Sequence, residues 1–325
     1  MSMLAEPSAP MQASAVYAII HAYGRPTLLA RVLNSLREQG PALRGVFVVN
    51  NSCDDSTKQA AAGVGMPVRV LTPDCNLGTA GGIAFGLRNW LSVEVATHVW
   101  ILDDDVIAMS GALAAMLAAL TEAGAEAAAP LLTDRTGTVQ WLPGLYSHEA
   151  RRASRGLMTP EEFRLRCGEA PLRWHWALWA SLLVSRRAVL AAGLPRLDLW
   201  SQFSDIEYTL RLTARFKGVL APKAVCRHLP PPAAAGAAFD VKLYSALQNG
   251  SFVSTRLRHG RRALRHLPGL HYRYLRHYRW ERRAWGRMVT AFFTGAVLGR
   301  PSGRTSQAAE VRHAEAALGR VEPHS

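Results

Sequence analysis

Apolar positions cluster first at residues 16–20, VYAII, a short β-prone run that follows a loose Met-, Ser-, Ala- and Pro-rich leader over residues 1–14. In the next segment, residues 26–40, Leu28, Leu29, Val32, Leu33 and Leu36 recur at helical spacing and Gly40 marks the stop. The alternation then repeats. Residues 45–52 (GVFVVNNS) form an apolar run, and residues 54–62 (DDSTKQAAA) open a short helix with Asp and Ser at its start. Residues 68–72 (VRVLT) lead through a Gly-rich turn into the helix GGIAFGLRNWLS, residues 81–92. A fourth run, residues 98–105 (HVWILDDD), precedes the helical GALAAMLAAL at residues 111–120, with Ser110 placed to cap it. Four strand–helix alternations whose runs are apolar on both faces predict a mostly parallel sheet covered by helices, an α/β fold.

Ligands of such sheets bind outside the carboxyl ends of the strands. Those ends here carry HAYGRP, NNSCDD, TPDCNLGTAGG and DDD, so polar and Gly-rich groups converge on one rim. Asp103, Asp104 and Asp105 admit two readings. They form either a solvated turn or an acidic pocket in which a hard dication offsets the mutual repulsion of carboxylates at the mouth of a buried strand. The segment NLGTAGG, residues 76–82, brings backbone close to a diphosphate at a helix N-terminus, or packs helix tightly on sheet. It lacks the Lys and hydroxyl of a P-loop.

Composition narrows the class. The chain has 325 residues, 49% of them hydrophobic and 19% charged, enough for one large or two small domains with real cores. Its net charge of +14 is concentrated at the C-terminal end, where residues 256–300 hold twelve Arg against a single acid, Glu281, a formal +11. Cys53, Cys75, Cys167 and Cys226 lie far apart, with no C-x-x-C pair and no secretory signal, which indicates neither a disulfide framework nor a zinc site and makes a cytoplasmic setting the expectation. The longest apolar run near the C-terminus, residues 288–299, is shorter than the ~20 residues a spanning helix needs.

The order of VYAIIHAYGRPTLL, VVNNSCDDST, NLGTAGGIAFGL, WILDDDV, WALWASLLVSRRAVLAAGLP, FSDIEYTLR and AVCRH resembles the family 2 glycosyltransferases, in particular their galactofuranosyl- and rhamnosyltransferase branch, over residues 16–228. The resemblance implies a GT-A type nucleotide-binding sandwich over residues 15–230, with a donor half at 15–110, an acceptor half at 111–230 and a basic helical C-terminal region at 231–325. It implies an inverting transfer from a nucleoside-diphosphate sugar to a glycan or lipid-linked acceptor in envelope polysaccharide synthesis, with galactofuranose or rhamnose as first candidates. A divalent cation, manganese or magnesium, would bridge the diphosphate.

By the same resemblance His21 and Arg25 border the nucleotide and Asp54 lies against its base, although Asp54 also suits a helix cap. Asn76, Gly78, Gly81 and Gly82 join Asp103 and Asp104 as donor contacts, while Asp103, Asp105 and His228 hold the metal. Asp205 takes the position of the catalytic base, and Ser204 stands where relatives often carry another acid. Glu207 either orients the acceptor or pairs with Arg211 one turn on. On residues alone, Asp205 and Glu207 equally suit the acid-rich first turn of a solvated helix. Trp176 and Trp179 offer aromatic faces for a sugar, or serve the core.

In the C-terminal region two rows of Arg stand at helical spacing, Arg258, Arg261, Arg262 and Arg265 before a break at LPG, then Arg276, Arg279, Arg283 and Arg287, with Tyr274, Tyr278, Trp280 and Trp285 interleaved. This pattern suits an anionic membrane surface, where each Arg contributes ~1 kcal/mol, and implies a peripheral position on the inner face of the plasma membrane. Packing on the catalytic domain is the second reading and nucleic-acid binding, not expected as a partner, the third. For the whole chain, a sugar-phosphate nucleotidyltransferase and a non-catalytic basic surface-binding protein are the alternatives.

Overall fold

The structure is a computed structural model that describes residues 14–229, 237–257, 267–304 and 308–318. The leader up to residue 13 and the first Arg row, Arg258 to Arg265, lie outside the described residues. The first half runs β1 (Val16–Ala22), α1 (Pro26–Arg37), β2 (Leu43–Asn50), α2 (Asp55–Ala61), β3 (Val68–Leu71), α3 (Gly78–Leu91) and β4 (His98–Asp103). The second runs β5 (Val106–Ala108), α4 (Ala112–Ala123), β6 (Ala127–Thr133), β7 (Val139–Trp141), α5 (His148–Ala153), α6 (Pro160–Cys167), β8 (Leu172–Trp174), β9 (Ser181–Ser185), α7 (Arg186–Ala192), α8 (Ser204–Thr213) and β10 (Gly218–His228). Four α-helices follow among the described residues: α9 (Ala237–Arg256), α10 (Leu267–His277), α11 (Arg282–Phe292) and α12 (Ala308–Leu318).

The strands form one sheet in the order β3-β2-β1-β4-β9-β6-β10-β5, with β7 paired to β6 and β8 to β10. The expected parallel block, β3-β2-β1-β4, is present. Beyond it β9 enters antiparallel between β4 and β6, so the sheet is mixed. Because β1 is central, neighbouring side chains feed opposite layers. Ile20 packs with Leu29, Val32 and Leu33 of α1, whereas Ile19 packs with Ile83, Leu87 and Trp90 of α3. Fully burying one such aliphatic side chain contributes about 1.5–3 kcal/mol, so these two layers are the main stabilising term of the donor half.

Two local expectations change. Ser110 does not cap α4, whose N-cap is Gly111 at φ +73°, a conformation that glycine adopts without the Cβ penalty. The LPG at 267–269 lies in the first turn of α10, where a proline gives up an N–H that would have no helical partner; the segment it was expected to end, Arg258 to Arg265, lies outside the described residues.

Candidate active site

Strand β4 ends at Asp103, and the chain turns at Asp104 and Asp105 into β5, which pairs antiparallel with the end of β10. That pairing, extended by a hydrogen bond from Leu229 N to Asp105 O of 2.8 Å, delivers His228 to the acidic turn. His228 Nε2 lies 3.5 Å from Asp105 Oδ1, and both side chains are buried. On the other side of the ring, Nδ1 faces Gln140 Oε1 at 3.0 Å. An amide oxygen accepts only, so Nδ1 carries the proton and Nε2 presents its lone pair to Asp105. Burial lowers the His228 pKa, ahead of the opposing pull of Asp105, which keeps the ring neutral. Trp141 covers the imidazole with ring centroids 4.6 Å apart.

The three carboxylates have separate fates. Asp104 is fully buried, accepts from Tyr23 N at 2.9 Å and pairs with Arg25, and its pKa rises to about 6, mainly through burial. Asp105 shares the same Arg25 through Oδ2, while its buried Oδ1 accepts no hydrogen bond. Asp103 is the least buried of the three; burial and the repulsion of Asp105 and Asp104 push its pKa to about 8. Arg25 therefore stands against the acids themselves. A carboxylate oxygen without a donor, facing an imidazole lone pair, fits a hard or borderline dication. Asp103, expected as the third ligand, does not complete the set: among the described residues no three His, Cys, Asp or Glu converge closely enough to hold a metal. The Arg25 guanidinium supplies positive charge to Asp104 and Asp105.

The Gly-rich segment is held from below by Asn51, a buried residue at the end of β2 that sequence reasoning did not single out. Its Oδ1 accepts from Leu77 N at 2.9 Å and its amide donates to Asn76 Oδ1 at 2.7 Å. Its Nδ2 also lies 3.0 Å from His21 Nε2. His21 is buried, and burial, with the Arg25 charge, lowers its pKa to about 4, so it is a neutral acceptor. Gly82 leaves room for that imidazole: a Cβ there would lie 2.4 Å from His21 Cδ2. The first amides of α3 are engaged as well, Gly78 N with Asn76 Oδ1 at 2.8 Å and Ala80 N with Trp200 O at 2.8 Å. Close packing thus accounts for the glycines at 78 and 82.

Asp54 caps α2, accepting from Thr57 N at 3.1 Å and Ser56 Oγ at 2.8 Å, and these bonds lower its pKa to about 2. Trp176 and Trp179 are buried, in separate apolar clusters. Glu207 is buried in a two-point pair with Arg211, at 2.9 and 3.0 Å, so the ion-pair alternative is the one realised. Asp205 differs from all of these. It opens α8 next to Phe203, held at φ +65°, and its Oδ1 accepts from Ile206 N at 2.8 Å. No salt bridge engages it among the described residues, and burial raises its pKa to about 6. Its charge is felt at Asp103 across the rim.

Residues 17–173 match the model of "Glycosyl transferase family 2". The likeness to the family 2 glycosyltransferases thus lies in this segment, just under half of the chain. A galactofuranosyltransferase, GlfT1, of Mycolicibacterium smegmatis is 32% identical to this chain over 90 residues, 28% of this chain and 30% of that relative. Among solved structures, Staphylococcus aureus TarS 1-349 in complex with UDP-GlcNAc superposes with a TM-score of 0.58 at 13% identity, covering 93% of this chain and 90% of that one. The mannosyltransferase PcManGT of Pyrobaculum calidifontis, in complex with GDP-Man and Mn2+, gives 0.50 at 18% identity over 93% and 85%. The sheet domain thus has the GT-A fold, followed by a helical C-terminal region.

Proposed function

We propose that this chain is an inverting, metal-dependent glycosyltransferase that moves a sugar from a nucleoside diphosphate to a hydroxyl of a glycan or lipid-linked acceptor in envelope polysaccharide synthesis. Galactofuranose is the first donor candidate, in line with the similarity to GlfT1, and rhamnose the second. The observation that carries the reading is Asp205: a carboxylate with no ion-pair partner among the described residues, its pKa raised to about 6, across the rim from the acidic turn. A base of that strength is ionised at neutral pH yet basic enough to take a proton. Asp205 Oδ1 is occupied by Ile206 N, so Oδ2 receives the acceptor's proton as the oxygen attacks the anomeric carbon and the bond to the diphosphate breaks. Asp105 and His228, with the diphosphate, would hold a dication, whose chemistry is to stabilise the negative charge of the departing nucleoside diphosphate. The Mn2+ in the PcManGT structure supports that assignment.

The family match favours sugar transfer over the nucleotidyltransferase reading, whose triphosphate would call for a basic Gly-rich loop after β1. No helix among the described residues is long and apolar enough to cross a membrane. Attachment at the inner face of the plasma membrane would accordingly be peripheral, through the basic C-terminal region. The test is calorimetric titration with UDP and with dTDP, in manganese and then in EDTA, alongside Asp205→Asn. Metal-dependent binding of one nucleotide is expected, and Asp205→Asn should bind it normally while losing transfer. An active Asn variant would refute the base.

A further inference from the structure

Helix α11 continues without a break into a π-helical turn, Phe293–Val297, and together they present an apolar stripe to the outside. At 100° per residue, Phe292, Trp285, Val289 and Phe293 fall within about 100° of one another, the width of an amphipathic face. A buried stripe would be ordinary. These four side chains are 39–59% exposed, and Val297 and Leu298 extend the exposed apolar surface. The inward side is distinct: Ala284 and Ala291 are buried with Leu247, Leu270 and Tyr274. Arg287, although exposed, lies over the rings of Tyr244 and Tyr278 at 5.4 and 5.8 Å.

The turn between α10 and α11 adds to the stripe. Arg279 and Trp280 are both left-handed, at φ +48° and +65°, a conformation unfavourable for two consecutive non-glycine residues. It places the exposed Trp280 ring 6.0 Å from Trp285 and 6.0 Å from Tyr272. Around these rings stand the exposed Arg276, Arg279, Arg282 and Arg283, with Glu281 as the single acid between residues 256 and 300. The second Arg row foreseen from spacing is therefore split among α10, the turn and α11, and the continuous feature is the aromatic stripe with a basic rim.

The geometry points to α11 and its π-turn as an in-plane membrane anchor, the apolar stripe entering the acyl boundary of an anionic bilayer and the arginines meeting lipid phosphates. Charge complementarity selects this occupant: a rim of one sign around interfacial aromatics matches an anionic headgroup layer over hydrocarbon. The inference rests on the peripheral-membrane part of the proposed function and deepens it from a basic region to one helix face.

The experiment is co-sedimentation of the full chain with vesicles of phosphatidylcholine alone and with about 30% phosphatidylglycerol. It compares wild type with a stripe variant, Trp285→Ser, Val289→Ser and Phe293→Ser, and a rim variant, Arg279→Gln, Arg282→Gln and Arg283→Gln. Wild type should bind the anionic vesicles. The stripe variant should bind roughly tenfold or more weakly even at about 0.5 M salt, where charge is screened, whereas the rim variant should lose binding mainly at low salt. Matching circular dichroism melts establish that both variants fold. Equal vesicle binding by the stripe variant, or no binding by wild type, overturns the inference. So does a dimer in lipid-free sedimentation that the stripe variant dissolves, because the stripe would then be a protein contact. Neither donor nor acceptor is present, so failure here leaves metal-dependent nucleotide binding as the separate measure of the transferase assignment.

Discussion

His228 owes its chemistry to a residue with no motif of its own. Gln140 sits in a three-residue strand, too short to show any periodicity, yet its oxygen fixes which imidazole nitrogen faces Asp105. Partners of this kind typically change metal affinity 10- to 100-fold. Gln140→Leu should accordingly weaken Mn2+ binding by about that factor at saturating nucleotide, measured from the electron paramagnetic resonance signal of free Mn2+. Gln140→Glu, which keeps an acceptor against Nδ1, should hold near the wild-type value. Equal affinity in all three would show that the tautomer is set elsewhere. Asp105, His228 and Asp205 stand out as candidates in the sequence because each lies at or beside the end of an element within a recognisable run. Arg25 was legible as a rim residue, but its pairing with Asp104 and Asp105 was not, since a linear chain does not reveal which charges the fold brings together.

Among the elements, α3 shows most clearly what its glycines are for. Gly78 is left-handed at φ +66°, and a Cβ there would lie 2.6 Å from Trp200 Cδ2. Gly78→Ala therefore combines backbone strain with displacement of a nearly buried indole, and should lower stability by about 2 kcal/mol or more in urea unfolding. A change below about 0.5 kcal/mol would mean that Trp200 gives way freely. The parallel block could be read from its apolar runs. The insertion of β9 between β4 and β6 could not, because antiparallel pairing across so long a separation leaves no local pattern. Strands β5, β7 and β8 were invisible for a related reason: at three residues each, they exist through their partners.

For the whole molecule, the acidic rim couples stability to pH and to metal. Asp103 keeps its proton to about pH 8 when folded but releases it near 3.8 when unfolded, so the folded state binds the extra proton in between and stability falls as pH rises through that interval. His21 acts in the opposite direction, but only between about 4 and its ordinary 6.5. From pH 6.5 to 8 the Asp103 contribution stands alone of the two. In EDTA the melting temperature should fall over that range, and because bound dications favour ionised carboxylates, Mn2+ should raise it more at pH 8 than at pH 6.5. A melting temperature flat in EDTA and indifferent to Mn2+ would contradict the electrostatic account of the rim.

The basic region reaches back into the sheet domain at a telling place. Asn249 of α9 donates to Leu199 O and Gln202 O, both at 2.8 Å, and accepts from Ser302 N at 2.7 Å, while the 199–203 loop carries Trp200 over Gly78 and leads directly to Asp205. A ribosome therefore releases strands β1 to β4 long before the loop that leads to Asp205 can be clasped. Contacts of such sequence separation form late. All the sheet strands have been made by His228, whereas the full clasp, Asn249 on the 199–203 loop with Ser302 N donating to it, can close only once residue 302 has been synthesised.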